Sequence, residues 1–167
     1  YVGRIDASKN VNELFEHFAK FRDNYEGDLK LVLLGKEHMP IPQRPDIVSL
    51  GFVSEEDKFD AMAAAVALVQ PSKYESLSLV ALESWLVKTP VLVNGRSEVL
   101  KYQCRQSNGG LYYSNYDEFE LALNRLLSDP EMTAQMGRQG RTFVQQRFNW
   151  DIILAKFQAL IETLTGH

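Results

Sequence analysis

Cysteine is almost missing from this chain: Cys104 stands alone among 167 residues. One thiol excludes an internal disulfide, suits a reducing compartment and reads as a buried small hydrophobe. No apolar run approaches the 18 residues of a membrane-spanning helix, and no signal-peptide pattern opens the sequence. An opening Met is missing too, and a glycine-arginine pair follows almost at once, which reads as a piece of something longer. Basic charge is in deficit, with 18 Lys and Arg against 22 Asp and Glu for a net −4. Without a basic stripe, binding to nucleic acid or to an anionic membrane surface is not expected. His17, His38 and His167 have no ligand spacing with one another or with Cys104, and no Asp-x-Asp pair occurs, so no metal site is expected. Three of the six prolines, at 40, 42 and 45, mark a single exposed loop, and no linker, repeat or low-complexity stretch divides the chain.

Hydrophobic residues, at 45%, suffice for one core in a chain of this length, and one domain is the default over residues 1–167. Short apolar runs at 1–3, 30–35, 46–50, 66–70, 91–94 and 111–113 read as strands, several of them continuous as when both faces are covered. Between them Val11, Leu14, Phe15, Phe18 and Tyr25 recur at helical spacing, with His17 off the stripe and therefore solvated. Ser54 and Asp57 suggest a capping box opening a helix through Ala65, and 117–127 carries another helical stripe. Helices are expected at 131–147 and 151–164, divided by a bend near Asn149 and Trp150. The apolar stripe of the last one, Ile153, Phe157, Leu160, Ile161 and Leu164, demands cover. The glycines in the run 137–141 match no phosphate loop and read as a helix irregularity. The alternation predicts a doubly wound, Rossmann-like α/β domain with a parallel sheet and extra C-terminal helices.

Two glutamates eight residues apart, Glu75 and Glu83, lie where a strand gives way to a loop and then a helix near Ser78. Open α/β sheets bind ligands at such junctions, and a helix N-terminus there favours an anion such as phosphate. At about 12 Å of helical rise the carboxylates are too far apart to share a proton, but could grip two hydroxyl-bearing ends of one ligand. Spacing alone equally allows two solvated surface acids. Near the start, Arg4 and Lys9 sit in a loop rich in turn and cap residues; two cations there would neutralise a diphosphate, although they read as well as ordinary surface charges.

Taken together these segments resemble the donor-binding domain of retaining GT-B glycosyltransferases, specifically glycosyltransferase family 4. The resemblance covers nearly the whole chain and rests on the opening GR then KN, LGF at 50–52, PS before Tyr74, the Glu-x7-Glu pair, TPVLV, and GGLYY near residue 110. It implies that Arg4 and Lys9 hold the donor diphosphate, that Glu75 meets sugar hydroxyls, and that Glu83 meets the ribose. Arg4, Lys9 and Glu75 are then the catalytic set. Ser76, Leu77, Ser78, Leu79 and Val80 would offer backbone N–H groups, with serines and a leucine where many members have Gly-Phe-Gly. Gly35 would line the crevice, and the loop with Val53, Glu55 and Lys58 would lie beside the nucleobase.

The resemblance also implies a nucleotide-sugar donor, a saccharide or lipid-linked acceptor, an N-terminal partner domain on the same protein, and a cytoplasmic site of action, in some members at the inner face of a membrane. No cofactor or metal is expected. A sugar-nucleotide epimerase half and a non-catalytic nucleotide-sugar-binding module are the competing readings. Lys36, Glu37, Asn94, Gly95, Ser97 and Glu98 follow strands but read as plain loop residues.

Overall fold

The computed structural model describes residues 1–165; His167 lies outside the described residues. After a short 3₁₀ turn at Ala7–Lys9 come α1 (Val11–Asp23), β1 (Leu31–Leu34), β2 (Ile47–Gly51), α2 (Glu55–Ala64), β3 (Leu68–Gln70), α3 (Leu79–Leu86), β4 (Val91–Asn94), α4 (Glu98–Ser107), β5 (Gly110–Tyr113), α5 (Tyr116–Ser128), α6 (Pro130–Arg147) and α7 (Trp150–Thr165). All strand pairs are parallel, as alternating strands and helices require. The expected α/β fold is therefore present.

One expected sheet is instead two ladders, β1-β2 and β3-β4-β5. The reason lies in the opening segment, expected as a strand. Residues 1–5 make only isolated bridges to the β1 side, Val2 with Leu34 and Ile5 with Glu37, so no named strand joins the halves. The backbone nitrogen of Tyr1 donates to the Val32 carbonyl at 2.8 Å. Between the two ladders lies an apolar cavity of about 400 Å³, lined by Leu14, Phe18, Leu31, Leu68, Phe119 and Leu123 among others.

Helix α1 buries Val11, Leu14, Phe15, Phe18 and Phe21 on one stripe. At about 1.5–3 kcal/mol for each buried large side chain, that face contributes on the order of 10 kcal/mol against chain entropy. Tyr25 lies past the helix and stacks on Phe21 with centroids 5.2 Å apart. His17 corrects its expected solvation: it is half-buried, 5.4 to 5.9 Å from the rings of Tyr113, Tyr116 and Phe119. α5 packs on α1, so the buried stripe is wider than its aliphatic residues suggest, and burial lowers the His17 pKa.

Ser54 caps α2 as expected, accepting from the Asp57 amide at 3.1 Å. Helix α4 was not expected at all. Ser97 caps it, accepting from Leu100 N, so Glu98 opens a helix instead of lying in a loop. Cys104 in α4 is buried as expected, which pushes its thiol pKa up to about 12. Glycines 137 and 140 are likewise not an irregularity. α6 runs unbroken through them, and they bring it against α3 and the turn after it: a Cβ on Gly140 would meet Trp85, and one on Gly137 would meet the Lys88 carbonyl. Trp85 is fully buried there and donates through Nε1 to the Gly109 carbonyl at 2.7 Å.

α7 forms where expected, after the bend at Asn149 and Trp150; none of its residues is buried, and Phe157, Leu160, Ile161 and Leu164 are exposed, so its apolar stripe has no cover among the described residues. Among the described residues, no helix is long and apolar enough to cross a membrane.

Candidate functional site

Along the carboxyl ends of the parallel strands, the loop from β3 to α3 is held in place by buried amides. Asn10, which precedes α1, and Asn94, which ends β4, both donate to the Pro71 carbonyl at 3.1 Å. From α4, Gln103 donates to the Leu77 carbonyl at 2.7 Å. Asn94 also donates to Glu13 at 3.0 Å, and Glu13 pairs with Lys73 at 3.0 Å, locking the first turn of α1 to the same loop. These contacts fix where Glu75 and the start of α3 stand. They also give Asn94 a buried structural place, where sequence suggested an open loop.

Beside this loop is a recess of about 280 Å³ lined by Tyr1, Val2, Gly3, Lys9, Lys58, Gln70, Glu75, Ser78, Leu79, Val80 and Glu83. The larger apolar cavity offers an ionic ligand almost nothing, whereas this recess brings two cations and two carboxylates together. Lys9, at the end of the 3₁₀ turn that Asp6 caps, reaches Glu75 at 2.9 Å. Lys58, on α2, reaches Glu83 on α3 at 3.1 Å and Glu55 at 2.8 Å. Burial alone would lower the Lys58 pKa, but its hydrogen bonds to Glu55 and Glu83 outweigh that and leave it raised. Each carboxylate of the spaced pair thus has its own lysine, one pair on the 3₁₀-turn side and one on the α2 side.

Of the residues singled out in the sequence, Lys9, Lys58, Glu75, Ser78, Leu79, Val80 and Glu83 line this recess. Arg4 does not line it; its side chain is 63% exposed and 3.5 Å from Asp6. Gly35 lies behind the opening loop, where a Cβ would fall 2.0 Å from the Gly3 carbonyl oxygen, so its role is close backbone approach. Ser76 and Leu77 are exposed on the loop, and Val53 is half-buried before α2; none of the three lines the recess. Glu55 takes part only through Lys58. Ser78 takes the left-handed conformation, φ +58°, immediately before α3, so this turn does demand the positive φ that the Gly-Phe-Gly of the resembling family would meet with glycine.

Sequence reasoning missed Tyr1, Val2, Gly3 and Gln70 as lining residues. Gln70 left a readable trace, as the one polar residue closing the apolar run 66–70 just before Pro71. Among the described residues, no three His, Cys, Asp or Glu side chains gather as a metal ion would need.

Residues 1–143 match the family described as glycosyl transferases group 1. The chain belongs to that family. It is 28% identical over 166 residues to an uncharacterized glycosyltransferase of Methanocaldococcus jannaschii, covering 92% of this chain and 41% of that protein. It is 26% identical to an MMP alpha-(1->4)-mannosyltransferase of Mycolicibacterium hassiacum, covering 92% of this chain and 40% of that one. The chain therefore spans less than half the length of these curated relatives. Among solved structures, sucrose-phosphate synthase of Thermosynechococcus elongatus superposes with a TM-score of 0.76 at 26% identity, over 99% of this chain and 45% of that one. HepE of Anabaena, solved in complex with UDP, gives 0.76 at 18% identity over 99% and 48%, which speaks for the fold alone. The group 1 match places the chain as a GT-B C-terminal domain.

Proposed function

We propose that this chain is the donor-binding half of a retaining, family 4 type glycosyltransferase, taking a nucleotide-diphospho-sugar without a divalent metal and passing the sugar to a saccharide or lipid-linked acceptor held by an N-terminal domain. The observation that carries this reading is the recess in which Lys9–Glu75 and Lys58–Glu83 flank the start of α3. Support comes from the group 1 match and from the UDP that HepE holds on the same fold. Retention and the sugar-to-acceptor direction rest on the family resemblance.

In this reading the diphosphate lies over the α3 N-terminus, whose free N–H groups and dipole suit an anion. Lys9 and Arg4 neutralise the charge that grows on the leaving diphosphate as the glycosidic bond breaks. Glu75 holds the sugar, and Glu83, oriented by Lys58, holds the ribose. Lys9 is already paired, so the phosphate must share or replace a carboxylate 2.9 Å away. That carboxylate repels the diphosphate while it holds the sugar.

Calorimetry in chelator, with UDP, GDP and their glucose and mannose derivatives, tests the assignment. Lys9→Ala is expected to weaken nucleoside diphosphate binding by about 1.5–3 kcal/mol, the scale of a charge-assisted hydrogen bond. Glu75→Gln frees Lys9, so it should leave the bare diphosphate bound at least as tightly and weaken only the sugar-bearing ligand. Glu83→Gln should weaken both. Binding that requires Mg²⁺ or Mn²⁺, or identical behaviour of the two Gln variants toward the bare diphosphate, would sink the reading.

A further inference from the structure

Helices α4 and α6 gather positive charge in a chain that carries a net −4. They hold five cations, Lys101, Arg105, Arg138, Arg141 and Arg147, against two acids, Glu98 and Glu131, which both stand in first turns. These cations form no run in the sequence; folding collects them, because α4 and α6 pack together. A trough between the two helices consists of adjoining hollows of about 410 and 350 Å³, which share Gln135 and Gln139 in their walls. Arg105 lines the first hollow, Arg138 and Arg147 the second. Among the described residues, no ion pair engages these three arginines. From Met132 to Arg147 the α6 wall spans about 22 Å of helical rise. Asn108, just past α4, and Gly110, where β5 begins, line the first hollow too. The trough therefore lies toward the amino ends of the strands, away from the recess at their carboxyl ends.

Gln135, Arg138, Gln139, Thr142 and Gln146 recur at three- and four-residue steps, so one face of α6 presents amides, a hydroxyl and a guanidinium to the trough. Side-chain amides both donate and accept, which matches the two-way hydrogen bonding of a sugar hydroxyl. In the first hollow Leu111, Tyr112, Met132 and Met136 add apolar surface for the C–H face of a sugar ring, with Lys101 5.8 Å over the Tyr112 ring. Arginine forks take a carboxylate or phosphate in bidentate fashion. Three arginines over this length are too sparse for a nucleic-acid strand, whose phosphates recur about every 3.4 Å. A membrane surface is flat, whereas these arginines line a hollow. We propose that the α4–α6 trough binds an acidic saccharide chain, its acidic groups on Arg105, Arg138 and Arg147 and its hydroxyls on the glutamine amides between them. This site stands apart from the donor recess and does not depend on the donor reading.

Calorimetry on the 167-residue chain with a galacturonic acid tetrasaccharide tests it, with maltotetraose as the uncharged match. The acidic tetrasaccharide should bind saturably and about ten-fold or more tightly than maltotetraose, the scale of hydrogen bonds to charged groups, and its hold should weaken as salt rises. Arg105→Gln combined with Arg138→Gln should weaken it about ten-fold or more. Gln139→Met keeps every charge and nearly the same volume, yet should weaken it about two- to ten-fold, which diffuse attraction to a basic surface would not do. These surface changes should leave the melting temperature nearly unchanged. UDP and GDP affinities should stay as in the wild type; wild-type protein that binds neither would sink the donor reading and leave the trough standing. Equal binding of the two tetrasaccharides, or wild-type affinity in the arginine pair or in Gln139→Met, would overturn the proposal. Tighter capture by phosphatidylglycerol vesicles or single-stranded DNA than by the galacturonic acid tetrasaccharide would overturn it as well, and assign the trough to a membrane or a nucleic acid.

Discussion

Mixed with a nucleotide sugar and a saccharide or lipid acceptor, the 167-residue chain should form no transfer product, while still being expected to bind the donor's nucleoside diphosphate. Transfer needs an acceptor hydroxyl held within reach of the anomeric carbon in a water-poor cleft, and that positioning supplies a large share of the rate. The recess between the opening loop and α3 has a volume of about 280 Å³. The chain spans only 41% of its Methanocaldococcus jannaschii relative and 45% of the sucrose-phosphate synthase chain, so the opposite wall of a cleft would come from elsewhere. α7 carries an uncovered apolar stripe, with Leu154, Phe157, Leu160, Ile161 and Leu164 all more than half exposed. Product detection by mass spectrometry after long incubation decides the matter. Turnover at an ordinary enzymatic rate, about 1 to 1,000 per second, would refute the half-enzyme reading.

Gly137→Ala should destabilise the domain by roughly 3 kcal/mol or more, although alanine is the better helix former. On an exposed helix the same change gains about 1 kcal/mol. Here a Cβ at Gly137 would fall 1.8 Å from the Lys88 carbonyl oxygen, a backbone atom in a left-handed turn (φ +64°) that has no freedom to retreat. α6 would have to lift from α3, loosening Trp85, Phe143 and Val144 with it, and overpacking of this kind is strongly unfavourable. At about 2–4 °C per kcal/mol for a domain of this size, the melting temperature should drop by roughly 6–12 °C. A stabilised Gly137→Ala protein would show that the α3–α6 crossing yields easily.

Much of the architecture was legible because its signals are local. The strand expected at 91–94 became β4 with all four residues buried, and Ser54 with Asp57 became the cap of α2. What stayed hidden depends on contacts distant in sequence. Helix α4 has few apolar residues, and its start is marked only by Ser97, so nothing in its own stretch announced it. His17 looked solvated because the rings around it come from residues 113–119, some hundred positions away. The role of Gly137 likewise belongs to Lys88.

In the recess, the resemblance brought out Lys9, Glu75, Lys58 and Glu83, but could not tell that each carboxylate would take its own lysine. Gln70 was passed over although its polar side chain closes an otherwise apolar run, because its place in the recess depends on residues 1–3 and 75–83 folding beside it. The positive φ at Ser78 was invisible for a different reason: a sequence records a side chain and not the dihedral it occupies.

The two tryptophans give the molecule a pair of optical reporters with separate addresses. Trp85 is wholly shielded, with its indole nitrogen bonded to the Gly109 carbonyl, and should emit toward the blue while the α3–α6 crossing is intact. Trp150, 75% exposed at the head of α7, should emit as in water. A blue shift of Trp150 therefore signals that something has covered α7, whereas a red shift of Trp85 signals that the fold itself has opened. One intrinsic spectrum thus separates association at α7 from loss of the core, with no added dye and no change of residue.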